Sequence, residues 1–518
     1  MKKLVALILA AVMLFSLAAC GGSGSTTAAP ENKNADRVLH LSTLAPLTSF
    51  DDCQTNNIQD EFVTYQTNDF LYTMNQDTLK IEPGIAESWE WNDAGTELTL
   101  HIRQGVKFHN DKTVTVEDVL FSYNRSRQDT HHKAKLAKVT DVVKVDDKTV
   151  KVILSEPDAG FMTTTGRSVA IVNKEEVEAA GESFGTKPHT AGCGPYKWGK
   201  VESMDSYWEL EAFEDYWMGA PAIKKVAYTP ITQASAGLIK FEAGELDWYI
   251  APMANWDDLK ANDKYNTELV AANHQSYMIL HYTNGELQDI NLRKAIAYAV
   301  NKDTCNDVAY QGMAKIAPYM YDPDRNVAAP KHDTTYSYNL EKAKEYLAKS
   351  SMPNGGKLSG FLQVSAGGYF EKIATVVAEN LKAIGLEVEV HPMQSATHME
   401  LMREGNYFMG ISGGSPSGDY SGIASWYFST NAFARFDDEE DKNDEFDYAW
   451  MQETFAKGNA AKTVEERTKY YAELDAYVMD RAVYIPIFHK VQPYVWTKDL
   501  NIPVNYQDFY VLREWSWK

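Results

Sequence analysis

The chain has 518 residues, 44% of them hydrophobic and 24% charged, with a formal net charge of −22. That length exceeds what one hydrophobic core serves, so two or more lobes are expected. So acidic a surface argues against nucleic acid or an anionic membrane surface as partner.

The first feature in chain order is an apolar run from Leu4 to Ala19 behind Lys2 and Lys3. It is too short for a membrane span, which needs about 20 residues. It stops at Leu17-Ala18-Ala19-Cys20 and passes straight into GGSGSTTAAPENKNAD, which has almost nothing to bury. This resembles the bacterial lipoprotein signal. Residues 1–19 would then be a removed signal peptide, Cys20 the lipid-bearing residue and 20–36 a flexible tether. Loss of Lys2 and Lys3 takes the formal charge from −22 to −24. Three cysteines remain beside Cys20, namely Cys53, Cys193 and Cys305, so at most one internal bridge can form. No pair has the close spacing of a zinc site, and no metal is expected.

The next part reads as hairpins and short helices. Leu98, Leu100 and Ile102 alternate with polar residues, as in a half-buried strand. Thr115 and Asp118 have the spacing of a capping box, and Val116, Val119, Leu120 and Tyr123 line one face of the helix it opens. DVVKVDDKTVKVILSEP predicts a hairpin turning at Asp146-Asp147. No run here has the strand–helix–strand alternation of a nucleotide-binding domain.

The second half reads as α/β. Leu292, Ala295, Ile296 and Ala299 share a helical face, and Asn339 stands where a second helix needs its N-cap. Phe370, Ala374, Val377 and Leu381 form a further apolar stripe, closed by Gly385 at the C-cap and followed by the alternating Leu386, Val388 and Val390. A last helix near Val464–Arg481 opens with Thr463 and Glu466 and runs into the apolar strand VYIPIF.

Several of these segments line up, in order, with one family. IEPGIAESWEWNDAGTELTLHIRQGVKFHNDKTVTVEDVLFSY resembles the signature of the family 5 extracellular solute-binding proteins, the oligopeptide-, dipeptide- and nickel-binding lipoproteins of ABC importers. Gly84, Ala86, Trp89, Arg103, Gly105, Phe108, His109 and Asp118 fall in place. Asn110-Asp111 replaces the usual Asp-Gly, and GCGPYKW at 192–198 carries Cys193 where the family has threonine. EDYWMGAPAIKKV, GLIKFEAGELDWYI, NLRKAIAYAVNKD and NLEKAKEYLAKS complete the series. From the residues alone, Trp89, Tyr216 and Trp217 read as packing residues, and Arg103 and Asp118 as fold-holding polar groups.

The resemblance implies an α/β, two-lobe periplasmic-binding-protein-like fold of the class II, cluster C type, with mixed sheets, a hinge and an extra subdomain in lobe I. Lobe I would hold 37–280, with the insertion at about 62–187, and take back the C-terminus, 489–518; lobe II would be 281–488. It implies a tethered extracytoplasmic receptor, on the outer face of the cytoplasmic membrane or in the periplasm. The receptor would be a monomer without cofactor, would close on a peptide or other small ligand, and would deliver it to an ABC permease with its ATPase. The ligand contacts it implies are Gln54 and Thr55 in lobe I and Ser417, Gly418, Asp419, Tyr420, Trp426 and Tyr427 in lobe II, with Asp419 seating the ligand's ammonium group. It also implies a Cys53–Cys193 disulfide with Cys305 unpaired. The arginine that dipeptide binders use for the ligand carboxylate is missing from Ser365–Tyr369, which favours a longer peptide. Alternatives are an oligosaccharide, an opine-like cation or a metal chelate. A serine hydrolase is a further alternative, since GISGG at 410–414 fits G-x-S-x-G around Ser412 with His489 downstream.

Overall fold

The computed structural model describes residues 37–55, 58–75, 77–129, 132–415, 418–427, 433–434, 436, 445–503 and 510–518; the signal, Cys20, the tether and Ser417 lie outside them. Three sheets organise the two lobes. One four-stranded sheet runs in the order Val38–Thr43, Lys225–Pro230, Tyr207–Ala212, Tyr196–Ser203, with only the first pair parallel. Its core gathers Leu39, Leu41, Trp208, Leu210, Val226 and Tyr228 with Leu512 and Trp515 from the chain's end.

The second sheet is antiparallel, in the order Ala86–Trp91, Glu97–Ile102, Thr149–Leu154, Val139–Asp146. Leu98, Leu100 and Ile102 all point into its core, as their alternation predicts, against Val119 and Tyr123 of the helix Val116–Ser126. That helix carries the expected capping box, Thr115 accepting from Asp118 N and Asp118 Oδ2 accepting from Thr115 N. The hairpin turns at Asp147-Lys148, a residue later than predicted, between Val139–Asp146 and Thr149–Leu154.

The third sheet has seven strands. Its main path is Trp248–Ile250, Tyr484–Thr497, Tyr265–Leu280, Met409–Gly414, Gly356–Ser365, Leu386–Met393, and Lys315–Ile316 adds to Tyr484–Thr497. The strand Gly356–Ser365 pairs in parallel with both neighbours, while the other contacts are antiparallel. Helices cover both faces. On one lie Ile290–Ala299 and Tyr369–Lys382, burying Leu292, Ala295, Ile296, Ala299, Ala374, Val377 and Leu381. The helix Tyr369–Lys382 ends short of Gly385, which takes φ +88° as the chain turns into Leu386–Met393. On the other face, Val464–Asp480 buries Tyr471, Leu474 and Val478.

Two strands tie the lobes together. Tyr265–Leu280 and Tyr484–Thr497 pair antiparallel along most of their length. At one end Val270, Tyr494 and Trp496 join the core of the first sheet; at the other Met278, Leu280, Ile485 and Ile487 join that of the third. Between them the ladder is interrupted twice, from Ala271/Val491 to Gln275/His489 and from Ser276/Phe488 to Tyr277/Pro486. Pro486 has no N–H to give a ladder, so an irregularity is where a central strand can hold it. The expected lobe limits, 280/281 and 488/489, lie at the end of the first long strand and inside the second.

The structure corrects the disulfide. Cys53, Cys193 and Cys305 are all free thiols. Cys193 is buried in the hairpin-sheet core with Sγ 3.5 Å from Ile171 O, whereas Cys53 sits on the single turn Asp52–Gln54 with Sγ 3.7 Å from Ser126 Oγ. Burial pushes both thiols well above the ordinary range, the nearby Arg125 only partly offsetting it at Cys53.

Candidate functional site

Asp419 follows the strand Met409–Gly414 and heads the helix Tyr420–Tyr427. Its Oδ1 accepts from Ser421 N at 2.9 Å and from Ser421 Oγ at 2.7 Å, the pattern of an N-cap. Backbone bonds lock the segment to a loop: Val327 N donates to Gly418 O and Tyr420 N to Val327 O, both at 2.9 Å. Tyr420 is fully buried, and its hydroxyl donates to Asp475 Oδ1 at 2.7 Å. Asp475 also takes Tyr321 OH at 3.0 Å and lies 2.6 Å from His332 Nε2, so one buried carboxylate anchors the helix, the loop and Tyr420 together.

Arg467 completes the group. Its Nη2 lies 2.5 Å from Asp419 Oδ1, and the two side chains are 4% and 0% exposed. The sequence reading missed Arg467 and Asp475. The available signal was Arg467 standing one turn before Tyr471, Leu474 and Val478, which places a cation at the head of a buried stripe.

On the lobe I side, Gln54 is exposed and Thr55 buried, at the end of the turn Asp52–Gln54. The turn is pinned by one ion pair and one contact to a histidine ring. Arg125 grips Asp51 with both terminal nitrogens, and the fully buried His132 puts Nε2 3.0 Å from Asp52 Oδ2. The structure thus brings Gly418, Asp419 and Tyr420 into one unit and sets Gln54 and Thr55 on another; no hydrogen bond joins the two among the described residues. Trp426 and Tyr427 lie on the helix headed by Asp419, but their side chains are outside the described residues.

The hydrolase alternative does not survive. Ser412 lies inside a strand, opposite Tyr277, 3% exposed and 3.8 Å from Met399 Sδ, not on the sharp turn a nucleophile needs. His489 is likewise in mid-strand, opposite Gln275, and burial lowers its pKa to about 4. Trp217 and Tyr216 hold Asp69 through hydrogen bonds of 2.6 and 3.0 Å, and Asp118 accepts from Lys174 N, the structural roles their types suggest.

The sequence model described as bacterial extracellular solute-binding proteins, family 5 middle, matches residues 80–434. The chain is 26% identical to heme-binding protein A of Haemophilus influenzae over 95% of this chain and 94% of the relative, and 24% identical to the dipeptide-binding protein of Escherichia coli over 80% and 81%. Its fold is that of HbpA2 from Haemophilus parasuis, with TM-score 0.80 and 23% identity over 93% of this chain and 99% of that one. The oligopeptide-binding protein AppA of Bacillus subtilis, solved with a nonapeptide, gives TM-score 0.75 and 21% identity over 93% and 98%. Members of the family bind solutes and are not enzymes, and this chain belongs to the bacterial extracellular solute-binding proteins of family 5.

Proposed function

We propose that the chain is the membrane-tethered, substrate-binding component of an ABC importer, and that it captures peptides longer than two residues by closing its lobes. The strand Met409–Gly414 carries this reading. It pairs along its whole length with Tyr265–Leu280, but with Gly356–Ser365 only over Met409–Ile411. Past that point no strand among the described residues pairs with the outer side of Gly413 and Gly414, which are half-buried. An extended peptide can add there as a further strand, held by backbone bonds that do not depend on its sequence. Asp419 lies a few residues on and is the seat for its ammonium. Closure is a rotation about the two long strands where their ladder is interrupted. Cys20 as lipid anchor keeps the receptor near its permease.

A second reading, a non-peptide ligand, is favoured by the likeness to heme-binding protein A over nearly the whole chain. Denaturing the purified protein and identifying the released small molecule by mass spectrometry decides between them. Peptides of three or more residues support the proposal; a porphyrin, sugar or opine overturns its ligand, and a preparation that carries and binds no solute overturns the reading itself. Fractionating cells that express the wild type and Cys20→Ala tests the anchor, which fails if both are found in the soluble fraction.

A further inference from the structure

Two glycines mark the line where lobe II meets the hairpin subdomain. Gly160 precedes the short helix Phe161–Thr165, whose Phe161 and Met162 belong to the hairpin-sheet core. A methyl group placed on Gly160 would overlap Ser421 Oγ and come within 2.9 Å of Asp419 Oδ1 and 3.2 Å of Arg467 Nη2. From the opposite side, a methyl group on Gly418 would overlap Met74 Cε and lie 2.8 Å from its Sδ, with Thr163 Cγ2 at 3.5 Å. Each element offers a bare backbone to the other's side chains. One backbone bond crosses the same line, Ala159 N to Asn459 O at 3.1 Å.

Both sides are braced. Asp158 accepts from Gly160 N at 3.0 Å and pairs with Lys138 at 3.1 Å, which holds the turn before Gly160. Asn459 accepts from Tyr471 OH at 2.7 Å. A buried lone carboxylate would resist being covered by backbone, because it would lose water without compensation. Asp419 is already matched by Arg467 and Ser421, so Gly160 covers a balanced, hydrogen-bonded group. Beside this line lies a cavity of about 390 Å³, walled by Trp91–Gly95 and Pro157–Ala159 on one side and Asn459–Lys462 on the other.

We propose that this contact is the latch of the closed receptor: Gly160 of the hairpin subdomain lands on the Asp419–Arg467–Ser421 group of lobe II, and the fit, set by the missing side chain, holds the ligand-enclosing state. The proposal rests on the solute-binding reading and concerns how that same site is held shut. Gly160 lies at φ −88°, so alanine or valine fits its local backbone and acts only where the two elements meet.

The test is the rate of intramolecular cross-linking by a short bismaleimide between cysteines at the two walls of the cavity, in full-length protein carrying Cys20→Ala, Asp93→Cys and Lys462→Cys. Protein without the two introduced cysteines is the blank for the three native thiols. The expected result is rapid cross-linking, slowed about tenfold by Gly160→Val, as overpacking of a formed contact predicts. Gly160→Ala slows it less, and Gly418→Ala least, since the flexible end of Met74 can move aside. Adding Ser421→Ala to Gly160→Ala restores part of the rate, because it removes the atom that the new methyl group overlaps most and leaves only the closer approach to Asp419 Oδ1; general damage to the fold would not be repaired in this way. Unchanged rates in Gly160→Val, no cross-link in the parent, or no rescue by Ser421→Ala each overturn the latch. The readout is independent of ligand identity, so it can fail while the mass spectrometry of released solute succeeds, and the reverse.

Discussion

Arg467 Nη2 and Asp419 Oδ1 lie 2.5 Å apart with both side chains buried, so the carboxylate at the head of the lobe II helix already has a counter-charge. Removing either partner leaves the other charged and without compensation, which costs about 3–5 kcal/mol. Asp419→Asn and Arg467→Gln are therefore expected to destabilise the protein singly, and the double variant by clearly less than their sum. Urea unfolding of the four proteins measures this; additive losses would show that the pair carries no coupling.

The same pair sets how strongly a ligand's ammonium is read. A matched carboxylate attracts an added ammonium less than a lone one does, so wild type should prefer free over N-acetylated peptides only modestly. Arg467→Gln should widen that preference and Asp419→Asn abolish it. Calorimetry with the paired peptides checks both directions, and equal binding of both forms by wild type would remove Asp419 as the ammonium seat.

Thiol counting is a third check. With every described cysteine unbridged, denatured, unreduced Cys20→Ala protein should take up three equivalents of alkylating reagent. Uptake of one would reinstate a disulfide.

Burial lowers His109, His274 and His489 to about 4 from the ordinary 6.5. Between pH 6.5 and 4 the unfolded chain binds these three protons and the folded chain does not, so stability is lost as pH falls through that window. Asp69 works against this: burial raises it to about 6 from 3.8, so the folded chain holds one proton that the unfolded chain releases. Burial also lowers His189 and His398, which act in the same direction as the three, so unfolding near pH 5 takes up at least about two protons, or roughly 2–3 kcal/mol or more lost per pH unit. Urea midpoints from pH 6.5 to 4.5 measure the slope, and a flat profile would contradict it.

Lys302 is buried, donates to Ala317 O at 3.1 Å, and is lowered to about 8 from 10.5 by burial. Because its folded pKa lies below the unfolded one, its unfavourable contribution is present at pH 7 and disappears as pH rises from 8 to 10.5. Lys302→Met should thus stabilise by about 2 kcal/mol at pH 7, after allowance for the lost hydrogen bond, and by nothing near pH 10.5. Destabilisation at pH 7 would refute this.

Local patterns were legible in the sequence wherever the deciding interactions lie within a few residues. Thr115 and Asp118 cap their helix, Asn339 caps the helix Leu340–Lys349, and Leu98, Leu100 and Ile102 turn to one face, because period and capping chemistry are local. The order of motifs from Gly84 to Asn339 likewise carried the family, and with it the two-lobe fold. What surrounds Asp419 was not legible. Arg467 lies 48 residues away, Val327 arrives from a loop and Gly160 from another subdomain, and nothing in a one-dimensional pattern says which of these meet. The disulfide failed for the same reason: two cysteines in one lobe share no geometry until packing turns one sulfur toward Ile171 and the other toward Ser126. Propensity and periodicity act along the chain, whereas charge pairing and steric fit act through space, and only the folded arrangement decides them.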